Sequence, residues 1–232
     1  HLPDCYYDEK DPHYKLLVII HGTGCAVEDY VRHAKELADQ DHVAVLAPLF
    51  PGGLIQRDDF NSYKLLSCDG IRYDQILLDM ISDMAKRYPG VETDKFFMFG
   101  HSGGGQFVNR FLFAHPDKLR ACAIGAPGRP TFLNPDEDYF WGIRDFKDYF
   151  GHDVDMEAVK KVPVMVIVGA NDNKFIGDSP YGNNRVDRMK SLQKNLQDHG
   201  VHTELTILPG FAHEGGEKER VQVAQRFFEA YL

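Results

Sequence analysis

A serine lies at the centre of the pentapeptide Gly100-His101-Ser102-Gly103-Gly104, directly after the apolar run 96–99. A chain that turns sharply from a strand into a helix strains the residue at the turn, and flanking glycines remove side chains that would collide there. The pattern therefore predicts a nucleophilic hydroxyl on Ser102. Because the pattern is short, an ordinary glycine-rich loop between a strand and a helix remains the alternative.

An acid and a histidine follow two other apolar runs. Asp172 comes after the run 162–168, and His213 comes after the run 202–208. A serine hydroxyl is a weak nucleophile until a base takes its proton, and a neutral imidazole suits that task near neutral pH. We predict His213 as this base. We predict Asp172 as the acceptor that fixes the imidazole tautomer and stabilises the imidazolium.

Other histidines and acids compete for these two roles. His101 is predicted to point away from Ser102, although it remains a candidate for the substrate pocket. His21 comes early in the chain and is predicted to pack near the loop that follows the first apolar run. Three further histidines are predicted to lie in solvent: His115, His199 and His202. Two acids are rivals of Asp172: Asp153 and Asp178.

A glycine-containing segment, His21-Gly22-Thr23-Gly24, follows the first apolar run. The negative oxygen of a tetrahedral intermediate needs fixed hydrogen-bond donors, and backbone amides between small residues are suited to supply them. We predict the amides of Thr23 and Gly103 as this oxyanion hole. A plain turn at the end of a strand is the alternative for the segment 21–24.

Apolar runs alternate with helical periodicity along the chain. The runs are 14–20, 42–47, 95–99, 119–125, 162–168 and 202–208, and the helical segments are 27–40, 70–88, 104–115, 183–199 and 217–231. Nearly continuous apolar runs are typical of parallel strands buried on both faces. The alternation predicts an open α/β sheet with right-handed crossovers, in which ligands bind at the carboxyl ends of the strands.

Together these residues resemble the α/β-hydrolase superfamily over nearly the whole chain, from Tyr14 to Leu232. The resemblance rests on the segments 21–24 and 100–104 and on Asp172 and His213, in the order serine, acid, histidine. It implies an α/β-hydrolase fold: a mostly parallel central sheet flanked by helices, with a short insertion after the sixth family strand. Within the superfamily, the chain is similar to compact esterases of the polyhydroxyalkanoate-depolymerase and carboxylesterase kinds. A convincing pair of strands before Tyr14, which most members carry, is missing.

The segment 127–161 breaks the alternation of strands and helices. It is rich in aromatic residues and acids and contains no good strand. We predict a short cap-like insertion within a single domain, 1–232. We also predict that Phe140 and Trp141, together with Phe175, line a pocket for an apolar or ring-bearing group. The alternative is that these rings only cover the end of the core.

Composition excludes several classes of function. The 232 residues have a formal net charge of −9, which does not suit binding to nucleic acid or to an anionic membrane and favours a neutral or cationic substrate. Every apolar run is too short to span a bilayer, so we expect a soluble protein and favour the cytoplasm over secretion. The sequence contains none of the metal-binding motifs HExxH, CxxC and His-x-His, and it contains no phosphate-binding glycine motif. We therefore predict no metal and no cofactor. Cys122 is predicted to lie in the core, whereas Cys25 and Cys68 could be free or bridged.

The sequence therefore predicts a serine hydrolase that cleaves a carboxylic ester of a small or medium, neutral, apolar or aromatic substrate through an acyl-serine. Lactone, amide and carbon–carbon bond hydrolysis by the same triad stay open. So does a binding protein of the same fold that turns its ligand over slowly or not at all. The expected partner is a small molecule, and the oligomeric state is left open.

Overall fold

The computed structural model describes residues 1–7, 12–54 and 56–232. Its eight strands are β1 (Lys15–Ile20), β2 (Val43–Leu46), β3 (Ser67–Cys68), β4 (Ile71–Arg72), β5 (Phe96–His101), β6 (Leu119–Gly125), β7 (Val164–Gly169) and β8 (Thr203–Leu208). Six of them form one sheet in the order β2-β1-β5-β6-β7-β8, and every pair in it is parallel. The two-residue strands β3 and β4 pair separately and antiparallel. The predicted parallel sheet is confirmed.

Seven α-helices connect or follow these strands. They are α1 (Val27–Gln40), α2 (Tyr73–Arg87), α3 (Gly103–Ala114), α4 (Phe146–Phe150), α5 (Met156–Val159), α6 (Arg185–Asp198) and α7 (Glu217–Glu229). Three short 3-10 helices add single turns at Asp4–Tyr7, Ser62–Leu65 and Pro116–Lys118. The helix predicted over 70–88 begins only at Tyr73, because Gly70 has a φ of +80° and residues 71–72 form the second strand of the small hairpin.

From β2 to β7 the central sheet is buried on both faces, as its nearly continuous apolar runs predict, whereas the edge strand β8 is partly exposed. Along β1, Leu16 and Val18 belong to one apolar cluster with residues of α2, α3 and α6, whereas Leu17 and Ile19 belong to a second with residues of α1 and α7. Successive side chains of a strand point to opposite faces. The helices therefore cover the two faces as separate layers, and the carboxyl ends of the strands stay open at one edge.

The connection between β6 and β7 contains the predicted insertion 127–161. The structure describes all of it and finds two short helices, α4 and α5, and no strand. Phe132, Phe146 and Phe150 are buried in the same apolar cluster as α3. Part of the aromatic content of this segment therefore closes the core. Whether the segment acts as a cap stays a prediction.

The structure also defines the state of the four cysteines and the character of the described helices. All four cysteines lie among the described residues and are free thiols, and Cys122 is buried in the core as predicted. In the described part of the chain, none of the helices has the length and apolar character that crossing a bilayer requires.

Candidate active site

Ser102 occupies the sharp turn between β5 and α3. Its φ is +57°, a left-handed conformation that is costly for a residue with a side chain, and its amide donates to the Gly125 carbonyl at 2.8 Å. A Cβ on Gly100 would lie 2.4 Å from the Gly104 carbonyl oxygen, and one on Gly104 would lie 2.0 Å from that of Ile20. The two glycines are thus required by close backbone contacts, which hold the serine at the turn.

Ser102, His213 and Asp172 form one hydrogen-bonded chain. The His213 Nδ1 lies 2.7 Å from Asp172 Oδ2, and its Nε2 lies 2.9 Å from Ser102 Oγ. A carboxylate only accepts hydrogen bonds, so the imidazole proton is on Nδ1 and Nε2 is free to accept the serine proton. The structure brings the three predicted side chains together in the arrangement that nucleophilic activation requires.

The loop after β8 is bound to the end of β7, which places His213 beside Asp172. The Asn171 amide donates to the Phe211 carbonyl at 2.8 Å, and a Cβ on Gly169 would lie 2.3 Å from that same oxygen. From the other side, the buried Arg220 guanidinium donates to the carbonyls of Ala212 and Gly215. The loop that carries His213 is therefore held by the end of β7 on one side and by the Arg220 side chain on the other.

Asp172 stays ionised despite its burial. Only 2% of its surface is exposed. Burial acts to raise its pKa, but the hydrogen bond from His213 and the charges of His213 and Arg185 outweigh burial, so the pKa lies below its ordinary value. Arg185 Nη1 lies 3.4 Å from Asp172 Oδ1. The carboxylate is therefore available to orient the imidazole.

His101 lies beside the triad but cannot replace His213 as the base. Its Nε2–H donates to the His213 carbonyl at 2.9 Å, and the two rings pack with centroids 4.9 Å apart. Burial, with nearby Arg220 and His213, lowers the pKa of His101 to about 3. A neutral, buried ring bonded to the backbone of His213 supports that loop. His101 also lines the cavity that contains Ser102, so its predicted place at the pocket is retained as a prediction.

The two amides predicted as the oxyanion hole belong to a residue that follows Ser102 and to a residue that lines the same cavity. Gly103 is the first residue of α3, so its N–H is among the helical donors that have no acceptor within the helix. Thr23 lies in a turn closed by the Cys25 amide, which donates to the Gly22 carbonyl at 3.1 Å, and it lines the same cavity as Ser102. Their role as oxyanion donors stays a prediction.

Three groups that the sequence analysis missed hold the segment 21–24. The Phe50 amide donates to His21 Nε2 at 3.0 Å, and the Tyr63 hydroxyl donates to the His21 carbonyl at 3.1 Å. The Lys64 ammonium donates to Thr23 Oγ1 at 2.8 Å. Tyr63 and Lys64 come from a single 3-10 turn without any motif, so no spacing in the sequence indicated them.

Comparison with known proteins gives structures but no sequence relatives. No protein-family model matches the sequence, and no curated protein matches it. A poly(aspartic acid) hydrolase from Sphingomonas sp. KT-1 superposes with a TM-score of 0.75 at 20% identity, over 92% of this chain and 87% of that one. A poly(3-hydroxybutyrate) depolymerase from Bordetella parapertussis superposes with a TM-score of 0.74 at 19% identity, over 94% of this chain and 80% of that one.

A fluorophosphonate-binding serine hydrolase from Staphylococcus aureus is also similar, with a TM-score of 0.64 at 17% identity over 99% of this chain and 89% of that one. The chain has the α/β-hydrolase fold. Identities this low establish the architecture and leave the activity to be argued from the site.

Two cavities of this α/β-hydrolase fold border the serine turn. The first measures about 500 Å³ and contains Ser102 and His213; we call it the acidic cavity because its lining includes Asp29, Glu214 and Glu217. The second measures about 340 Å³; we call it the cationic cavity because four basic side chains line it: Lys64, Arg129, Arg185 and Arg188. Arg185 borders both cavities.

The structure separates the aromatic residues that were predicted to line the pocket. Phe140 lines the cationic cavity. Among the described residues that line either cavity, Trp141 and Phe175 do not occur. Trp141 instead packs on Tyr181 and lies under the Arg188 guanidinium, 5.3 Å from the ring centroid, and Phe175 is 68% exposed. The expectation of a pocket lined by Trp141 and Phe175 is corrected accordingly, because the tryptophan is already packed and Phe175 faces solvent.

Metal ligands are not grouped in the described residues. Within residues 1–7, 12–54 and 56–232, no three His, Cys, Asp or Glu side chains lie where they could hold a metal ion.

Proposed function

We propose that this protein is a serine hydrolase that cleaves a carboxylic ester of a small or medium-sized substrate through an acyl-serine intermediate. One observation supports the proposal most strongly. The chain from Asp172 through His213 to Ser102 is continuous at hydrogen-bond distances of 2.7 and 2.9 Å, and each member follows a different strand of the sheet. A nucleophile, a base and a group that orients the base are the requirements for covalent acyl transfer.

In the acylation step, Ser102 Oγ attacks the ester carbonyl carbon while its proton passes to His213 Nε2. The imidazolium that forms keeps its Nδ1–H on the carboxylate of Asp172, which offsets the new positive charge. The electron pair of the carbonyl moves to oxygen, and we propose the amides of Thr23 and Gly103 as the donors that stabilise it. Collapse of this intermediate expels the alcohol, which takes the proton from His213.

Deacylation repeats these steps with water as the nucleophile. His213 takes one proton of the water as its oxygen attacks the acyl-serine carbonyl, and returns that proton to Ser102 Oγ when the acid leaves. No group is oxidised or reduced. The triad thus starts and finishes with the same protonation, as a turnover cycle requires.

The structural neighbours support a hydrolase. The three described above are named as a poly(aspartic acid) hydrolase, a poly(3-hydroxybutyrate) depolymerase and a fluorophosphonate-binding serine hydrolase. We extend only the common element of these names, hydrolysis, to this chain. A binding protein of the same fold has no need for an ionised Asp172 bonded to His213, so the intact triad favours turnover over binding alone.

A fluorophosphonate probe tests the proposal because it reacts with a serine whose proton is taken by a base. Wild-type protein and the control Ser82→Ala, an exposed serine on α2, are expected to be labelled, and Ser102→Ala is expected to stay unlabelled. Circular dichroism checks that each sample is folded. Absence of label on folded wild-type protein would overturn the proposal, and label on Ser102→Ala would show that another serine is the nucleophile.

A further inference from the structure

The cationic cavity concentrates positive charge in an acidic protein. Lys64, Arg129, Arg185 and Arg188 line it, and none of the described residues in its lining is acidic. The whole chain has a formal net charge of −9, so this concentration does not follow from composition. A local excess of cations raises the concentration of anions at the cavity.

The buried cations of the cavity are held mainly by uncharged groups. Arg188, which is 2% exposed, donates to the backbone carbonyls of Gly128, Gly177 and Gly182. Lys64, which is 5% exposed, donates to the side-chain oxygens of Thr23 and Asn61. Burial lowers the pKa of both groups. These contacts orient the cations but leave most of their charge uncompensated.

Carboxylates balance only part of this charge. The charge of Asp59 only partly opposes the burial that lowers the pKa of Lys64, and the oxygens of Asp59 accept hydrogen bonds from Asn61 and Ser62. Asp172 faces Arg185 through one oxygen, and its other oxygen is bound to His213. A fifth cation, the fully buried Arg110, lies behind the cavity and donates to the Lys64 carbonyl. The cluster therefore keeps a net positive charge that a bound anion would neutralise.

The cavity lies next to the nucleophile. A Cβ on Gly103, the residue after Ser102, would be 2.6 Å from Lys64 Cε. Gln106 lines the cavity and lies four residues after Ser102. Its backbone N–H donates to the Ser102 carbonyl at 3.1 Å. Arg185 lines both this cavity and the one that contains Ser102. The two cavities therefore adjoin at Arg185, beside the serine turn.

Resting on the proposed hydrolase function, we propose that the cationic cavity binds a carboxylate of the substrate, so that the preferred substrate is an ester that carries negative charge. A monoester of a dicarboxylic acid has this chemistry. Guanidinium groups bind the planar carboxylate through parallel hydrogen bonds. The side chains of Leu65, Phe140 and Ile176 line the same cavity and suit the intervening carbon chain. The net charge of the chain favoured a neutral or cationic substrate, and the local charge of this cavity reverses that expectation.

A matched pair of esters tests the proposal. One is the aryl monoester of glutaric acid, and the other is the same compound with its free carboxylate capped as a methyl ester. The measured quantity is the ratio of kcat/KM for the charged ester to that for the capped ester. Because hydrogen bonds to charged groups are strong, wild-type protein is expected to prefer the charged ester by about tenfold or more.

Arg129→Gln is the informative variant, because Arg129 is exposed and its guanidinium lies over Phe140 at 5.7 Å, so its removal leaves the fold intact. We expect the ratio to fall by about tenfold. The matched control is Arg144→Gln, an exposed arginine that pairs with Asp138 and does not line the cavity. A wild-type ratio near one, or an equal change in both variants, would overturn the proposal.

Binding to Ser102→Ala separates this proposal from the hydrolase proposal. Calorimetry with monomethyl glutarate and with inorganic phosphate is compared for Ser102→Ala and for the double variant with Arg129→Gln. Binding of the glutarate ester that weakens in the double variant supports the cavity even if the fluorophosphonate experiment fails. If the probe labels Ser102 but the wild-type protein does not prefer the charged ester, the carboxylate-binding proposal is overturned and the hydrolase proposal stands. Binding of phosphate without binding of the glutarate ester overturns the carboxylate assignment.

Discussion

The acidic and cationic cavities border the same serine turn and share Arg185, yet their charges have different origins. In the acidic cavity, Asp29 and Glu217 lie in the first turns of α1 and α7, where the helix dipole favours negative side chains. Helix stability thus accounts for part of that charge. In the cationic cavity, Arg188 lies in α6, Lys64 in a 3-10 turn and Arg129 in a loop. No element end explains their convergence, which is consistent with the proposed carboxylate site.

The strongest loss of activity is predicted for the triad, on which hydrolysis of both esters depends. Asp172→Asn is expected to lower kcat by about 10⁴-fold for the charged and the capped ester alike, because an amide favours the wrong imidazole tautomer. Steady-state kinetics on both esters measures the effect. The control is Asp178→Asn, an exposed rival acid. Equal losses in the two variants, or a loss in Asp172→Asn confined to one ester, would contradict the assigned role of Asp172.

A second prediction concerns an ion pair outside both cavities. Asp74 is fully buried and accepts hydrogen bonds from His115 and Arg72. The expectation that His115 lies in solvent is therefore wrong, because its side chain is only 13% exposed. Burial acts to raise the pKa of Asp74, but these bonds lower it from 3.8 to about 2. Its ionised form is therefore worth about 2 kcal/mol of unfolding free energy at pH 7. Asp74→Asn is expected to lower the free energy of unfolding by about 2 to 3 kcal/mol, because it leaves the Arg72 guanidinium without its carboxylate.

The pH dependence of that loss has a definite sign. Since the folded-state pKa is depressed, the contribution of Asp74 is fully present above about pH 4 and declines as the pH falls towards 2. Urea unfolding at pH 7 and at pH 3 measures the difference in unfolding free energy between the wild-type protein and the variant. This difference should be smaller at pH 3. An equal difference at the two pH values would contradict the ion pair. The ratio of kcat/KM for the charged ester to that for the capped ester should not change, because Asp74 and its partners line neither cavity.

The acidic cavity is predicted to have only a small influence on the preference between the charged and the capped ester. Glu214 is exposed and lines the acidic cavity, so it repels a charged substrate that approaches Ser102. Glu214→Gln is expected to raise the ratio of charged to capped ester by about twofold at low salt, and the effect should fade as salt screens it. Glu229→Gln, an exposed acid at the end of α7, is the control. A fall in the ratio would show that the acidic cavity does not oppose the charged substrate.

The strands and the triad could be predicted because their signals are local. Most strands of the central sheet are nearly continuous apolar runs, and Ser102, Asp172 and His213 each follow a strand of that sheet within a few residues. The carboxyl ends of parallel strands meet at one edge, so order along the chain was enough to bring them together. The two-residue strands β3 and β4 carried no periodicity and were missed.

The cationic cavity could not be predicted for the opposite reason. Lys64, Arg129 and Arg188 come from separate segments, and only the packing of α6 and the loop after β6 joins them. The same packing places Trp141 against Arg188 rather than in the predicted pocket. Net charge and aromatic content describe the whole chain, whereas specificity depends on which few side chains converge.

The most direct test of the account is to locate the acyl group during turnover. Wild-type protein is mixed with the aryl monoester of glutaric acid, quenched in acid within milliseconds, digested and analysed by mass spectrometry. A glutaryl group is expected on the peptide that contains Ser102. With the capped ester at the same concentration, the adduct is a methyl-glutaryl group, and less of it is expected. A glutaryl group on any other residue, such as Cys25, or full turnover without an acyl-protein, would contradict the account.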